Sequence, residues 1–173
     1  GFDADWRPVD RHVTPGHDIE VAWLLPDAAR ATGDPALEAR ARTAGNALAA
    51  VVLHDGLGPE GLVRDEPGAW PSWAQAEGVI GFTDAYAATG DPAYAAAAVR
   101  IWSAIEEHFA DRRNGEWFKQ LDARLRPDPS VPKAGPWSCP YHGARACLET
   151  LDRIAALGAG AGAAGRRGRR WGW

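Results

Sequence analysis

The chain has 173 residues, of which 46% are hydrophobic and 24% are charged, with 20 glycines and 13 prolines. This composition is typical of one globular domain and excludes a wholly disordered chain and a collagen-like fibre. The sequence has no long apolar run and no signal-like start, so we predict no membrane span and no secretion. The net charge is −4 although four arginines lie within residues 166–170, so the rest of the chain is more acidic than the total. We therefore expect no binding of nucleic acid by the domain.

A hexapeptide repeat predicts two helical hairpins. Ala-Thr-Gly-Asp-Pro-Ala occurs at 31–36 and again at 88–93. Its glycine can adopt the left-handed conformation that ends a helix, its aspartate can cap the next helix, and its proline fits the first turn. Apolar residues recur at helical spacing on both sides of each copy, although Pro26 should kink or interrupt the first helix. The pattern therefore predicts two pairs of helices, at about 19–28 and 37–52 and at about 71–89 and 93–109.

A fifth helix is predicted over about 140–157 and is closed by Gly158. Counting back 16 and 13 residues from the glycine that ends each helix gives equivalent positions in three first turns. These positions hold His17 and Glu20, Ala74 and Glu77, and His142 and Arg145. Because residues three apart share a helix face and the corners of stacked hairpins lie side by side, we expect these side chains to approach one another.

The pattern changes after residue 114. Residues 116–122 and 124–126 are predicted to be two extended segments around a turn, which form the only strands as a hairpin insertion over one end of the helices. The Gly-rich, basic end of the chain has no apolar periodicity. We therefore predict a folded domain at 1–157 and a disordered tail at 158–173.

The two cysteines, Cys139 and Cys147, lie in one predicted helical segment. At 1.5 Å per residue they are about 12 Å apart along its axis, which is too far for a disulfide. Both are expected to be thiols of a protein in the reducing cytoplasm.

Two predicted helix starts carry polar side chains that packing also explains. His17 and Glu20 share one face of the first helix, which alone is more often a capped helix start with a solvated carboxylate. Trp73 and Glu77 lie on one stripe of the third helix, which is more often a core indole beside an edge carboxylate. A metal site has little support, because one His and one Glu are too few ligands for zinc unless His142 joins them.

The segment 137–145 is denser in chemistry. Trp137, His142 and Arg145 crowd one helix start, which packing alone explains poorly. The nine tryptophans of the chain favour either large helix contacts or platforms for sugar rings. No Gly-rich phosphate loop, Gly-x-Ser-x-Gly elbow or Cys-x-x-Cys pair occurs, so nucleotide-binding, serine hydrolase and zinc-ribbon functions have no support.

Four motifs follow one another along the chain. They are His-Asp-Ile-Glu at 17–20 with Ala-Trp-Leu-Leu at 22–25, Trp-Ala-Gln-Ala-Glu at 73–77, Gly-Glu-Trp-Phe at 115–118, and Gly-Pro-Trp at 135–137 with Cys-Pro-Tyr-His at 139–142. Together they resemble the N-acylglucosamine 2-epimerase superfamily, and within it the cellobiose 2-epimerase branch. The resemblance implies an all-α fold, the C-terminal half of an (α/α)6 barrel, so the N-terminal half of that barrel is an expected partner.

The resemblance also implies a sugar epimerase with no metal or other cofactor, acting on carbon 2 of a mono- or disaccharide. The histidines matching His17 and His142 exchange protons with the substrate, and other residues position or stack on the sugar. Those positioning residues are Glu20, Trp73, Glu77, Trp137 and Arg145. Histidine suits this chemistry, because imidazoles commonly titrate near pH 6.5 and inversion through a planar enediolate needs an acid or base on each face.

Two alternatives stay open. An aldose–ketose isomerase of the same superfamily moves the proton from carbon 2 to carbon 1, and product analysis separates it from an epimerase. The other alternative is an inactive sugar-binding fragment, for which no upstream half of the barrel would exist.

Overall fold

A computed structural model describes residues 2–5, 7–9, 13–65, 67–135 and 139–167. Within these residues the chain forms five α-helices and one two-stranded sheet, which confirms the predicted, mostly helical fold. The helices are α1 (Pro15–Ala31), α2 (Pro35–Val51), α3 (Ser72–Thr89), α4 (Pro92–Ala104) and α5 (Tyr141–Arg167), and the strands are β1 (Ala69–Pro71) and β2 (Gln120–Asp122). The helices α2 and α4 continue into π-helical turns at Val52–Gly56 and Ile105–Phe109.

The two repeated turns have the predicted geometry. Gly33 and Gly90 adopt φ angles of 72° and 74°, a left-handed conformation that favours glycine. The carboxylates of Asp34 and Asp91 each accept a hydrogen bond of 2.9 Å from a backbone N–H in the first turn of the following helix. The repeat therefore closes two helical hairpins, α1–α2 and α3–α4.

The helices α1, α3 and α5 form one layer, in which α3 contacts both of the others. The helices α2 and α4 form a second layer, with α2 packed against α1 and α4 against α3. Fully buried apolar side chains fill the core, and the largest are Phe82, Phe109, Ile19, Leu62, Ile80, Ile101, Ile105 and Leu121. Since α1, α3 and α5 begin at the same end of their layer, the core holds their first turns close together.

Of the two predicted effects of Pro26, a kink or an interruption, the interruption is wrong, because α1 continues through this residue. Proline has no N–H to offer to the carbonyl of Ala22, four residues earlier. The helix α2 approaches this carbonyl at Gly45, where a Cβ atom would overlap the Ala22 oxygen and lie 3.1 Å from Cγ of Pro26. The missing side chain at Gly45 thus lets α2 pack directly on this turn of α1.

We expect Gly45→Ala to lower the free energy of unfolding by about 1–3 kcal/mol, because the methyl group meets a backbone atom that cannot rotate away. This cost exceeds the gain of about 1 kcal/mol that alanine brings to a helix. Urea unfolding followed by circular dichroism measures the change. The matched control is Gly158→Ala in α5, where a Cβ has nothing within 4 Å. A Gly45→Ala protein as stable as Gly158→Ala would contradict the packing argument.

A small antiparallel sheet is present as predicted, but it is not a hairpin. β2 pairs with β1, which precedes α3, and Trp70 lies opposite Leu121. The prediction that residues 116–126 contain the only strands is therefore wrong. Three residues that include a proline are too short to show the alternating pattern by which a strand is recognised.

Residues 124–126 form a tight turn instead of a second strand. The Oδ1 atom of Asp122 accepts hydrogen bonds from the backbone N–H groups of Arg124, at 2.8 Å, and Arg126, at 3.0 Å. The Arg126 guanidinium binds Oδ2, and these contacts lower the pKa of Asp122 to about 2. An aspartate that binds the following backbone favours a turn over an extended strand.

The helix α5 runs to Arg167, so its predicted end at Gly158 is wrong. Gly33 and Gly90 are each followed by Asp-Pro, whereas Gly158 is followed by alanine and lacks both the cap and the proline of a next helix. The division into a domain at 1–157 and a tail at 158–173 stays a prediction.

None of the helices in the described part of the chain combines the length and the hydropathy that crossing a bilayer requires.

Candidate active site

The N-terminal ends of three helices bring six of the predicted site residues together. The helix α1 supplies His17 and Glu20, α3 supplies Trp73 and Glu77, and α5 supplies His142 and Arg145. Each pair lies three or four residues apart, so both of its side chains leave the same face of the helix. Side chains of the three helices contact one another directly, as the alignment of their equivalent positions predicts.

The two histidines contact the same tryptophan. The ring centroid of Trp73 is 4.8 Å from that of His17 and 5.6 Å from that of His142. Both imidazoles line the same cavity, which has a volume of about 270 Å³. Both imidazoles are therefore open to the same cavity.

Glu77 holds His142 from beneath the cavity. Its side chain has no exposed surface, and its Oε1 atom lies 2.7 Å from Nδ1 of His142. A buried carboxylate requires donors, so the neutral imidazole places its proton on Nδ1. The Nε2 atom is then left without a proton and can act as a base, as in other carboxylate–histidine pairs.

The predicted sugar contact of Glu77 needs correction, because a side chain with no accessible surface cannot touch a ligand in the cavity. The Glu77 carboxylate instead accepts hydrogen bonds from neighbouring side chains. Within the described part of the chain, its hydrogen-bond donors are His142, Arg145 and Trp23.

Arg145 joins the carboxylates of α1 and α3. One of its terminal nitrogens donates to Glu20 and to Glu77, at 2.6 Å in both cases. The rings of Trp23 and Tyr141 lie 5.2 Å and 5.0 Å from its guanidinium carbon. Burial opposes the charge of Arg145, but the hydrogen bonds to the two carboxylates outweigh it and raise the pKa of the guanidinium. Arg145 is therefore a permanent cation within the cluster.

Glu20, Glu77 and His142 also form a group that could bind a cation, since their ligating atoms lie within 4.8 Å of one another. The guanidinium of Arg145 already bonds to both carboxylates of this group. A divalent ion would have to displace Arg145 or share these oxygens with it. The group therefore suits the guanidinium of Arg145 better than a metal ion.

Aromatic side chains that we did not predict as site residues complete the cavity. Trp117 and Tyr141 line it, and both belong to motifs of the family resemblance, Gly-Glu-Trp-Phe and Cys-Pro-Tyr-His. The Trp117 ring lies over Gly143, where a Cβ atom would be 3.5 Å away. These motifs could have indicated that the two residues belong to the site, but nothing in the spacing of the motifs shows that the two rings face it. The predicted sugar-stacking residue Trp137 lies outside the described residues.

The chain is similar to several known 2-epimerases. A family model described as N-acylglucosamine 2-epimerase (GlcNAc 2-epimerase) matches residues 2–146. The cellobiose 2-epimerase of Bacteroides fragilis is 34% identical over 157 residues, which cover 87% of this chain and 40% of that protein. The N-acylglucosamine 2-epimerase of Mus musculus is 30% identical over 157 residues, which cover 83% of this chain and 36% of that protein.

A solved structure of cellobiose 2-epimerase from Bacillus thermoamylovorans B4167 superposes on this chain with a TM-score of 0.78 and 33% identity. The match covers 88% of this chain and 40% of that one. Such structural neighbours are (α/α)6 barrels, so the predicted fold class is confirmed, and the chain spans about 40% of the relatives it matches. Because the family model extends over most of its length, the chain belongs to the N-acylglucosamine 2-epimerase family.

Proposed function

We propose that this chain is part of a carbohydrate 2-epimerase, similar to cellobiose 2-epimerases, that inverts carbon 2 of an aldose at its reducing end. The observation that carries the proposal is the placing of two imidazoles around Trp73 at one cavity, with one of them bonded to a buried carboxylate. The activity belongs to the complete protein, in which the N-terminal half of the barrel is the partner that encloses the substrate.

The first half of the reaction removes a proton from the open-chain sugar. A neutral imidazole takes the proton from carbon 2, the C–H electron pair becomes the double bond between carbons 1 and 2, and the carbonyl pair moves to oxygen 1. If His142 is this base, its new positive charge lies 2.7 Å from the Glu77 carboxylate, which stabilises it. A cation such as Arg145 favours the negative charge that develops on the substrate.

The second half returns a proton on the other face of the enediolate. The imidazolium of the second histidine gives its proton to carbon 2 and the carbonyl re-forms, so the product has the same atoms and the opposite configuration. His17 suits this role because it lines the same cavity as His142 and comes from a different helix. Trp73 offers a flat apolar surface on which a sugar ring can stack, and Glu20, which lines the cavity, can bind a hydroxyl group.

The test is product analysis in deuterated water. We expect the complete protein, given cellobiose or an N-acylglucosamine, to produce the 2-epimer with solvent deuterium at carbon 2, as measured by NMR. Methyl glycosides of the same sugars are the control, since they cannot open to the aldehyde and should not react. A ketose product would instead identify an aldose–ketose isomerase. Sugar binding without exchange at carbon 2 would identify an inactive sugar-binding protein.

A further inference from the structure

Trp23 is a buried residue whose ring nitrogen contacts the site. It lies on α1, three residues after Glu20, and 3% of its surface is exposed. Its Nε1–H donates a hydrogen bond of 3.0 Å to Oε2 of Glu77, while His142 and Arg145 share the other oxygen. Among the residues that the structure describes, Trp23 is the donor that holds Oε2.

Two arginines of α5 flank the same indole ring. The guanidinium carbons of Arg145 and Arg153 lie 5.2 Å and 5.3 Å from Trp23. Arg153 is fixed in turn by acidic groups of three helices, and its partners are Asp27 on α1, Asp84 on α3 and Glu149 on α5. The ring of Trp23 is therefore held between Arg145, which belongs to the active-site cluster, and Arg153 with its acidic partners.

We propose that Trp23 is a positioning residue, whose indole N–H orients the Glu77 carboxylate so that its other oxygen holds Nδ1 of His142. The inference rests on the proposed function, because its effect on catalysis passes through His142. A carboxylate bonded at one oxygen only can rotate about its last side-chain bond. A donor on the second oxygen removes this freedom, and with it the freedom of the imidazole to turn or to change tautomer.

A packing role would make a different demand on residue 23. Trp23 packs in a small apolar cluster with Ala76, Ile80 and Ala146, for which only the volume of the ring matters. The positioning role requires the N–H group itself. A substitution that keeps the bicyclic ring and removes the N–H therefore separates the two roles.

Two variants of the complete protein test the proposal: Trp23→Phe, and β-(3-benzothienyl)alanine at position 23, which replaces the N–H by sulfur. We expect kcat to fall by roughly 10- to 100-fold with KM near the parent value, the cost of losing a hydrogen bond to a charged acceptor. The matched control is Trp70→Phe, because Nε1 of Trp70 has no hydrogen-bond partner within the described residues. Its kcat should not change. A benzothienyl variant with parental kcat would overturn the proposal, even if Trp23→Phe failed to fold.

A second readout does not depend on activity. In protein labelled with ¹⁵N-histidine, NMR shifts report which nitrogen of His142 carries the proton. We expect the Nδ1–H tautomer in the parent and in Trp70→Phe, and a mixture of tautomers in the benzothienyl variant. An unchanged tautomer in that variant would refute the positioning role. If the parent makes no epimer but the tautomer responds, the proposed function is wrong and the positioning role stands.

Discussion

Replacing His142 with alanine in the complete protein is expected to reduce the rate of C2 epimerisation by about 10²- to 10⁴-fold, the usual contribution of a general acid or base. His17→Ala should cause a loss of the same order, because inversion needs one group on each face of the enediolate. The two imidazoles come from different helices, α1 and α5, and line one cavity, so neither is placed to take over the role of the other. The rate of 2-epimer formation, followed by NMR or chromatography, measures both effects.

His54→Ala is the matched control. The His54 side chain is 86% exposed and its ring nitrogen contacts only its neighbour Asp55 among the described residues. Its removal should leave the rate unchanged. A folded His142→Ala protein that epimerises at nearly the parent rate would contradict the assignment, and the Cys-Pro-Tyr-His segment would then be a structural helix start.

Exchange with solvent separates the two histidines. In deuterated water, a variant that keeps the abstracting base can still exchange the proton at carbon 2 of one epimer, because removal and return on the same face do not invert the centre. We expect His17→Ala and His142→Ala each to retain this exchange with a different epimer. Exchange of both epimers in either variant would show that a third group transfers protons.

The helical hairpins and the meeting of the site residues could be predicted from the sequence because both depend on local signals. Glycine, aspartate and proline fix the conformation of the turns at 31–36 and 88–93 without help from the rest of the fold. Once those turns are fixed, counting along a helix places His17 and Glu20 at the same level as Glu77. The same count, made back from Gly158, also gave His142 as the position equivalent to His17, although Gly158 does not end α5.

The contacts of Glu77 and Trp23 could not be predicted, because they depend on the distance between helices. Position 77 is the third-helix counterpart of Glu20, which lines the cavity, yet Glu77 is fully buried. The difference arises because Glu77 lies on α3 between α1 and α5, whose side chains Trp23, His142 and Arg145 cover its carboxylate. Periodicity gives the face of a helix but not the depth of a residue, so a buried anchor and a ligand-binding group look alike in the sequence.

Replacing Glu77 with leucine is expected to lower the free energy of unfolding by about 3–5 kcal/mol, the cost of removing one partner of a buried ion pair. Three donors, on Trp23, His142 and Arg145, lose an acceptor that has no exposed surface. Urea unfolding followed by circular dichroism measures the loss. Glu38→Ala is the control, because Glu38 pairs with Arg30 on the surface and such pairs contribute about 0–1 kcal/mol.

A double variant separates the stabilising role of Glu77 from its role in catalysis. Glu77→Leu combined with Arg145→Met leaves no cation without its buried partner, and Glu20, which lines the cavity, can be solvated by water. We expect the double variant to be more stable than Glu77→Leu alone, since apolar groups often replace a buried ion pair at little cost. It should still fail to epimerise, because Nδ1 of His142 has lost the carboxylate that fixes its proton and the site has lost the cation of Arg145. Recovery of epimerisation together with stability would show that Glu77 only supports the fold.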